Sequence, residues 1–297
     1  MSIDLDDLYP YKHSLVDEFF IKTADDNYVV ARWCFNYGMD VDFFWLAAHC
    51  LEKYLKAALV LNGHPAKKQK HDIRGLYADV HPLAPELLPT KLTIPDGLPE
   101  DIFSLGEETT EKFIERIYLY GQPDNRYQLV GYIKRGTDLL KLDQLVFAIR
   151  RLCRPLEGHF LGRTRGKMVA GVPDQTYRER MLKDDPISRN LHSSLEKTIN
   201  GERGKLLRRV ALNWNFPFAP LDYKHGRMSY EHRMVNSVMV RRFLDPLDAG
   251  TADQDKHADD LWAWAKENLH IPTGWRKAFE AERTNRKAIA KTKQTKG

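Results

Sequence analysis

VDFFWLAAHCLEKYLKAALVLNG, residues 41–63, carries the strongest helical signal in the chain. Phe44, Leu51, Leu55, Ala58 and Leu59 recur at helical spacing, and no Pro or Gly interrupts the stretch before Asn62-Gly63. Asp42 is placed to cap its start and Asn62-Gly63 to end it. A helix this apolar along one side needs other helices to cover it, and the flanking sequence supplies them. Upstream, Thr23-Ala24-Asp25-Asp26 opens a helix, with Thr23 as cap and the two aspartates at the positive end of the dipole, and Gly38 stops it. Downstream, a short helix begins near His71-Asp72, and EETTEKFIERIYLY belongs to a helix over about 99–119. Thr137 to Cys153 repeats Leu139, Leu140, Leu142, Leu145, Val146, Ile149 and Leu152. Arg150, Arg151 and Arg154 suit the negative end of that helix, and Pro155 closes it. Five prolines at 82, 85, 89, 95 and 99 mark a loop between these helices.

After Pro155 the texture changes. EGHFLGRTRGKMVAGVP is rich in Gly and Arg and has little periodicity; it reads as a linker, a β-hairpin or an RNA-contacting loop. Helical patterns return over 185–200, 201–212, 229–244, 258–269 and 273–290. NWNFPFAPLDYKHG between them is an aromatic, proline-bearing loop, and DAGTADQDKHAD a polar connector. The expected fold is all-α or mainly α. Residues 1–155 form a helical bundle, and residues 156–297 form a basic, mostly helical region.

Composition narrows the function classes. Of 297 residues, 42% are hydrophobic and 29% charged, as in an ordinary globular protein rather than a disordered one. The net charge of +5 permits nucleic-acid contact without demanding it, because phosphate binding needs a local basic patch. Cys34, Cys50 and Cys153 form no CxxC pair, which argues against a zinc knuckle and suits a reducing cytoplasm. The acidic start MSIDLDDLYPYKHS lacks the order of a signal peptide, and no stretch has the length of a membrane span. No metal-ligand spacing or Gly-rich phosphate loop is present, so no metal and no cofactor are expected.

FWLAAHCLEKYLKAALVLNG, followed by KHDIRGLY and much later by NRYQ, resembles the HEPN superfamily. The resemblance covers about residues 23–155. It rests on Glu52 and Lys56 on an alanine-rich helix, on His71-Asp72 opening the next helix, and on Arg126-Tyr127 before the last one. Where the family commonly has Gln-Gln, this chain has Ala48-His49. The resemblance implies a four- or five-helix bundle, frequent dimerisation, and a place in prokaryotic or phage conflict systems such as toxin–antitoxin or antiviral defence. Many members are metal-independent ribonucleases with an Arg-x(4–6)-His signature near the start of the last bundle helix. Thr137–Cys153 holds no histidine, so the bundle departs from that signature.

The candidate residues have competing readings. Glu52 and Lys56 are spaced for an i,i+4 ion pair, or, with His49 and His71, for a polar groove in the bundle. His71-Asp72 also reads as a helix cap. RMSYEH sets Arg227 and His232 at Arg-x(4)-His spacing. Metal-free RNA cleavage needs a base for the 2′-OH, which His supplies near neutral pH, and a cation for the phosphorane, which Arg supplies. Met228 stands where the family has a polar residue, and the bland reading is a solvent-facing helix start. SRNLHSS places Arg189, Asn190 and His192 together at too short a spacing. Arg163, Arg165 and Lys167 in RTRGK are phosphate-contact candidates, because glycine lets backbone approach closely. The cation-rich tail, with Arg283, Arg286 and Lys287, is either a solvated helix or a further RNA contact.

The expectation is therefore an RNA-binding protein or metal-independent endoribonuclease, acting as a homodimer or with a protein partner. The alternative is a catalytically silent HEPN protein acting through protein–protein assembly, for instance with a nucleotidyltransferase.

Overall fold

The computed structural model describes residues 9–66, 69–93, 98, 108–158, 161–164, 167–170, 175–184, 189–227, 231–248 and 251–294. The protein is mainly α. Its helices are α1 (Tyr9–Val16), α2 (Lys22–Asn36), α3 (Asp40–Leu61), α4 (Ile73–Val80), α5 (Thr110–Tyr120), α6 (Asp138–Arg151), α7 (Tyr177–Leu182), α8 (Ser194–Ile199), α9 (Lys205–Leu212), α10 (Asp245–Asp248), α11 (Ala252–Asn268) and α12 (Thr273–Gln294). Among the described residues, three antiparallel two-stranded ribbons join β1 (Lys91–Leu92) to β2 (Glu108–Thr109), β3 (Tyr132–Lys134) to β6 (Arg233–Val235), and β4 (Leu161–Thr164) to β5 (Lys167–Ala170).

The chain does not divide at residue 155. One compact unit comprises residues 1–121 and 135–231, the other residues 122–134 and 232–297. In the first unit α3 is central and packs against α2, α4, α5 and α6. Its expected stripe of Phe44, Leu51, Leu55, Ala58 and Leu59 is buried, as is every leucine of the expected α6 pattern. Gly121 ends α5 against α3. A Cβ there would lie 2.6 Å from the Ala48 Cβ and 2.7 Å from the Phe44 carbonyl, so a side chain would force the two helices apart.

Buried ion pairs explain why residues beyond 155 belong to this unit. Arg150 donates to Asp25 at 2.8 and 3.1 Å and to Glu196 at 2.7 and 2.8 Å, joining α6, α2 and α8. Arg32 pairs with Asp143 and donates to the carbonyls of Val210 (2.9 Å) and Asn213, joining α2, α6 and the end of α9. Tyr28 donates to Asp143 at 2.5 Å and accepts from Asn215 at 2.9 Å. A charge buried without a partner is far more costly than one that is paired and hydrogen-bonded, so these contacts hold the later segment on the bundle.

Several local expectations change. α1 continues through a π-helical turn (Asp17–Ile21) into α2, so Thr23 lies within a helix and donates to the Phe19 and Phe20 carbonyls instead of capping. α3 starts at Asp40, with Asp42 in its first turn. Asp25 and Arg150 serve each other rather than helix dipoles. The proline-bearing loop holds two 3₁₀ turns and β1, and the helix expected over 99–119 begins only at Thr110, capped by Thr109. Of the three readings of 157–173, the hairpin is observed, as β4 and β5.

The second unit has its own core of Leu129, Met239, Phe243, Leu244, Trp262, Ala265 and Phe279. The helix expected over 229–244 is instead β6 followed by a π-helical turn, Val240–Leu244, because residues 233–235 pair with β3. The polar connector is largely the start of α11. Among the described residues no helix is long and apolar enough to cross a membrane.

Candidate functional site

Glu52, Lys56, His71 and His49 converge. The Glu52 carboxylate, 7% exposed, accepts from Lys56 Nζ at 2.6 Å and His71 Nδ1 at 3.0 Å, and His49 Nδ1 lies 3.7 Å away. Burial alone would raise the Glu52 pKa; the neighbouring His49, the bond from Lys56 and the charges of Lys56 and His71 outweigh it and hold the group at about 2. His71 is largely exposed and Lys56 largely buried. Asp72 caps α4 by accepting from Arg74 N at 3.1 Å. The four residues therefore make one charge-compensated cluster on α3 and the turn before α4.

A second cluster lies around Glu108, which accepts from Arg116 at 2.8 and 2.9 Å and Lys141 at 3.0 Å and is likewise held at about 2. Asp138 takes the rest of Arg116 at 2.6 and 3.2 Å. α6 thus commits Asp138, Lys141, Asp143 and Arg150 to ion pairs inside the protein.

The remaining candidates scatter. Arg227 is exposed in the first unit and His232 exposed in the second, and residue 232 leads into β6, so the two do not share the helix start expected of them. Arg126 and Tyr127 sit on a 3₁₀ turn of the second unit, with Arg126 donating to the Pro123 carbonyl. Arg163 lies on β4 and Lys167 on β5, while Arg165 lies outside the described residues.

Within the second unit, the tail cations are not a free phosphate-binding row. Arg283, 5% exposed, donates to the carbonyls of Phe243 and Ala258 and to Asp259; Lys287 also binds Asp259. Arg286 binds Glu282 at 2.9 Å and Asp248 at 2.5 Å. Trp275 and Phe279 carry α12 onto the core, which turns Arg283 inward. Among the described residues no group of three or more His, Cys, Asp or Glu is placed to hold a metal.

Sequence reasoning passed over two features. One is RPLEGH, which repeats the Arg-x(4)-His spacing just past α6. Arg154 is buried there, donates to the Asn190 carbonyl at 3.2 Å, and packs on Tyr177; burial holds its pKa down at about 10. His159 lies outside the described residues. The spacing itself was the available signal.

The other is the loop NWNFPFAPLDYKHG, read only as aromatic and proline-bearing. Trp214 and His225 stack with centroids 5.2 Å apart and planes at 24°, and Phe216 and Tyr223 close on His225 at 5.3 and 5.2 Å. Trp214 has φ +58°, a left-handed backbone strained for so large a residue. It is held there because its backbone N–H donates to His225 Nδ1 at 2.9 Å and its indole N–H to the Gly226 carbonyl at 2.6 Å. An accepting Nδ1 needs a neutral ring, and burial, then the charge of Arg32, lowers the His225 pKa. Asn213 closes the loop, accepting from Gly226 N and donating to the Arg227 carbonyl. Arg208 lies 5.8 Å from the Tyr223 ring, and Lys224 and Arg227 are exposed beside it. The density of aromatics between Trp214 and Tyr223, followed by cations, was the signal.

No protein-family model, no curated protein and no solved structure matches this chain.

Proposed function

We propose that this chain is an RNA-binding protein of HEPN type, serving a prokaryotic or phage conflict system, and that it takes single-stranded RNA on the loop from Asn213 to Arg227. The carrying observation is the stacked Trp214–His225 pair, held in strained backbone by two hydrogen bonds beside exposed Lys224 and Arg227. Bases stack on such platforms whatever their sequence, and flanking cations follow the phosphates. Strain kept at a part-exposed aromatic pair fits a surface built for contact. The test is binding of a labelled single-stranded RNA by wild type and Trp214→Ala. Losing one stacked base, worth about 1–3 kcal/mol, weakens binding about 5- to 160-fold. Equal affinity removes the proposal.

The bundle is proposed to be catalytically silent. The polar residues of α6 that face the interior are committed to ion pairs, which favours the reading in which the bundle assembles with itself or with a protein partner such as a nucleotidyltransferase. Should the protein cleave RNA, the proposed chemistry is metal-independent, with His232 as base and an arginine as the cation on the phosphorane. Products would carry a 2′,3′-cyclic phosphate, because the attacking group is the substrate's own 2′-OH. Activity abolished by a chelator, or kept in full by His232→Ala, sinks that mechanism; loss in His159→Ala alone moves it to the second Arg-x(4)-His.

A further inference from the structure

A cavity of about 560 Å³ opens beside α6 in the first unit, walled by Phe147, Arg151, Asp184, Arg189, Phe216 and Pro217. Its two arginines are unequally paired. Arg189 grips both oxygens of Asp184, while Arg151 reaches the same carboxylate only at 4.0 Å. Glu86, also on the wall, is bound by Arg178. Arg151 is thus left with a shared, distant counter-ion; among the described residues its buried Nε has no hydrogen-bond partner, and its guanidinium packs 4.5 Å from the Phe147 ring centroid. Arg189 approaches the same ring at 5.8 Å. Two guanidinium groups beside one aromatic ring, sharing one carboxylate, are a preformed seat for an anion with several acceptor oxygens. The cavity is much larger than a phosphate and lies within the usual size of small-molecule sites, about 300–1,000 Å³. Phe216, 39% exposed, and Pro217 give it an apolar wall suited to a flat ring.

We infer that this cavity binds a nucleoside monophosphate group, with the phosphate on Arg151 and Arg189 and the base against Phe216. The same chemistry is offered by a free nucleotide and by the 5′-phosphorylated end of an RNA strand. Phe216 is shared with the RNA loop, but the phosphate seat on Arg151 and Arg189 is not, so either proposal can fail alone.

The test is calorimetric titration of the full chain with uridine 5′-monophosphate and with uridine, in wild type, Arg189→Ala and Arg151→Met. The expected result is saturable binding of the nucleotide, at least tenfold weaker binding of uridine, and a loss of tenfold or more in each variant. Arg189 is well exposed, so Arg189→Ala reports on binding even if Arg151→Met perturbs the fold. Displacement of the nucleotide by a 5′-phosphorylated RNA decamer but not by its 5′-hydroxyl twin supports the strand end as ligand; displacement by neither supports the free nucleotide. No binding of the nucleotide, equal binding of uridine, or wild-type affinity in Arg189→Ala overturns the inference. Trp214→Ala weakening RNA while the nucleotide fails to bind leaves the RNA proposal standing and removes this one.

Discussion

Glu52 shows how much one buried carboxylate can hold together. Its pKa stands at about 2 against an ordinary 4.5, so the folded state binds protons less readily than the unfolded one. Its contribution is therefore complete above pH 4.5 and is lost as the pH falls toward 2. Glu108 and Glu196, also held at about 2, act in the same direction. Urea unfolding midpoints of the wild type should fall steeply across that window. Glu52→Gln should be about 1–3 kcal/mol less stable at neutral pH and lose less on acidification. A variant with the wild-type pH dependence would show that Glu52 is not linked to folding. Arg150 is a harsher case, because Asp25 and Glu196 both depend on it. Arg150→Met should cost about 3–5 kcal/mol in a urea titration, since it leaves carboxylates buried without their cation. A cost near zero would mean that water reaches them.

Among the elements, α12 best separates composition from role. Its cations invite a nucleic-acid reading, yet its packing is that of a core helix, with Phe279 7% exposed and touching the cluster around Trp262. Phe279→Ala should destabilise the second unit by about 3–5 kcal/mol, measured as the shift of its urea midpoint, because truncating a buried aromatic leaves a cavity. An unchanged midpoint would mean that the helix is dispensable to that unit. The aromatic loop is the reverse case. Its composition looks like filler, but hydrogen bonds made by Trp214 and Asn213 to His225, Gly226 and Arg227 give it one defined shape.

For the whole molecule, a net charge of +5 says little about where RNA would bind, because most described cations already face carboxylates or carbonyls. Affinity for single-stranded RNA should fall with salt, with a log–log slope that drops by about 0.7 for each phosphate contact removed. Arg227→Ala should reduce the slope by about that amount, and Arg283→Ala should leave it unchanged. The opposite ranking would return the tail to the RNA surface.

Helix α3, helix α6 and the mainly α class were legible in the sequence because helical period is a local property: apolar residues three and four apart declare a face wherever the helix lies. The Glu52–Lys56 pair was legible for the same reason, being one turn apart on α3. Partner choice over long range was not. Asp25 and Arg150 stand 125 residues apart, and both look like helix-end charges until α2, α6 and α8 close around them. Residues 122–134 show no helical period, and their place is decided only when β3 meets β6, 99 residues further on at Lys134↔Arg233. A charge in the sequence is solvated by default. Only when apolar faces have met and excluded water does its partner become decisive, and that is settled by the tertiary structure.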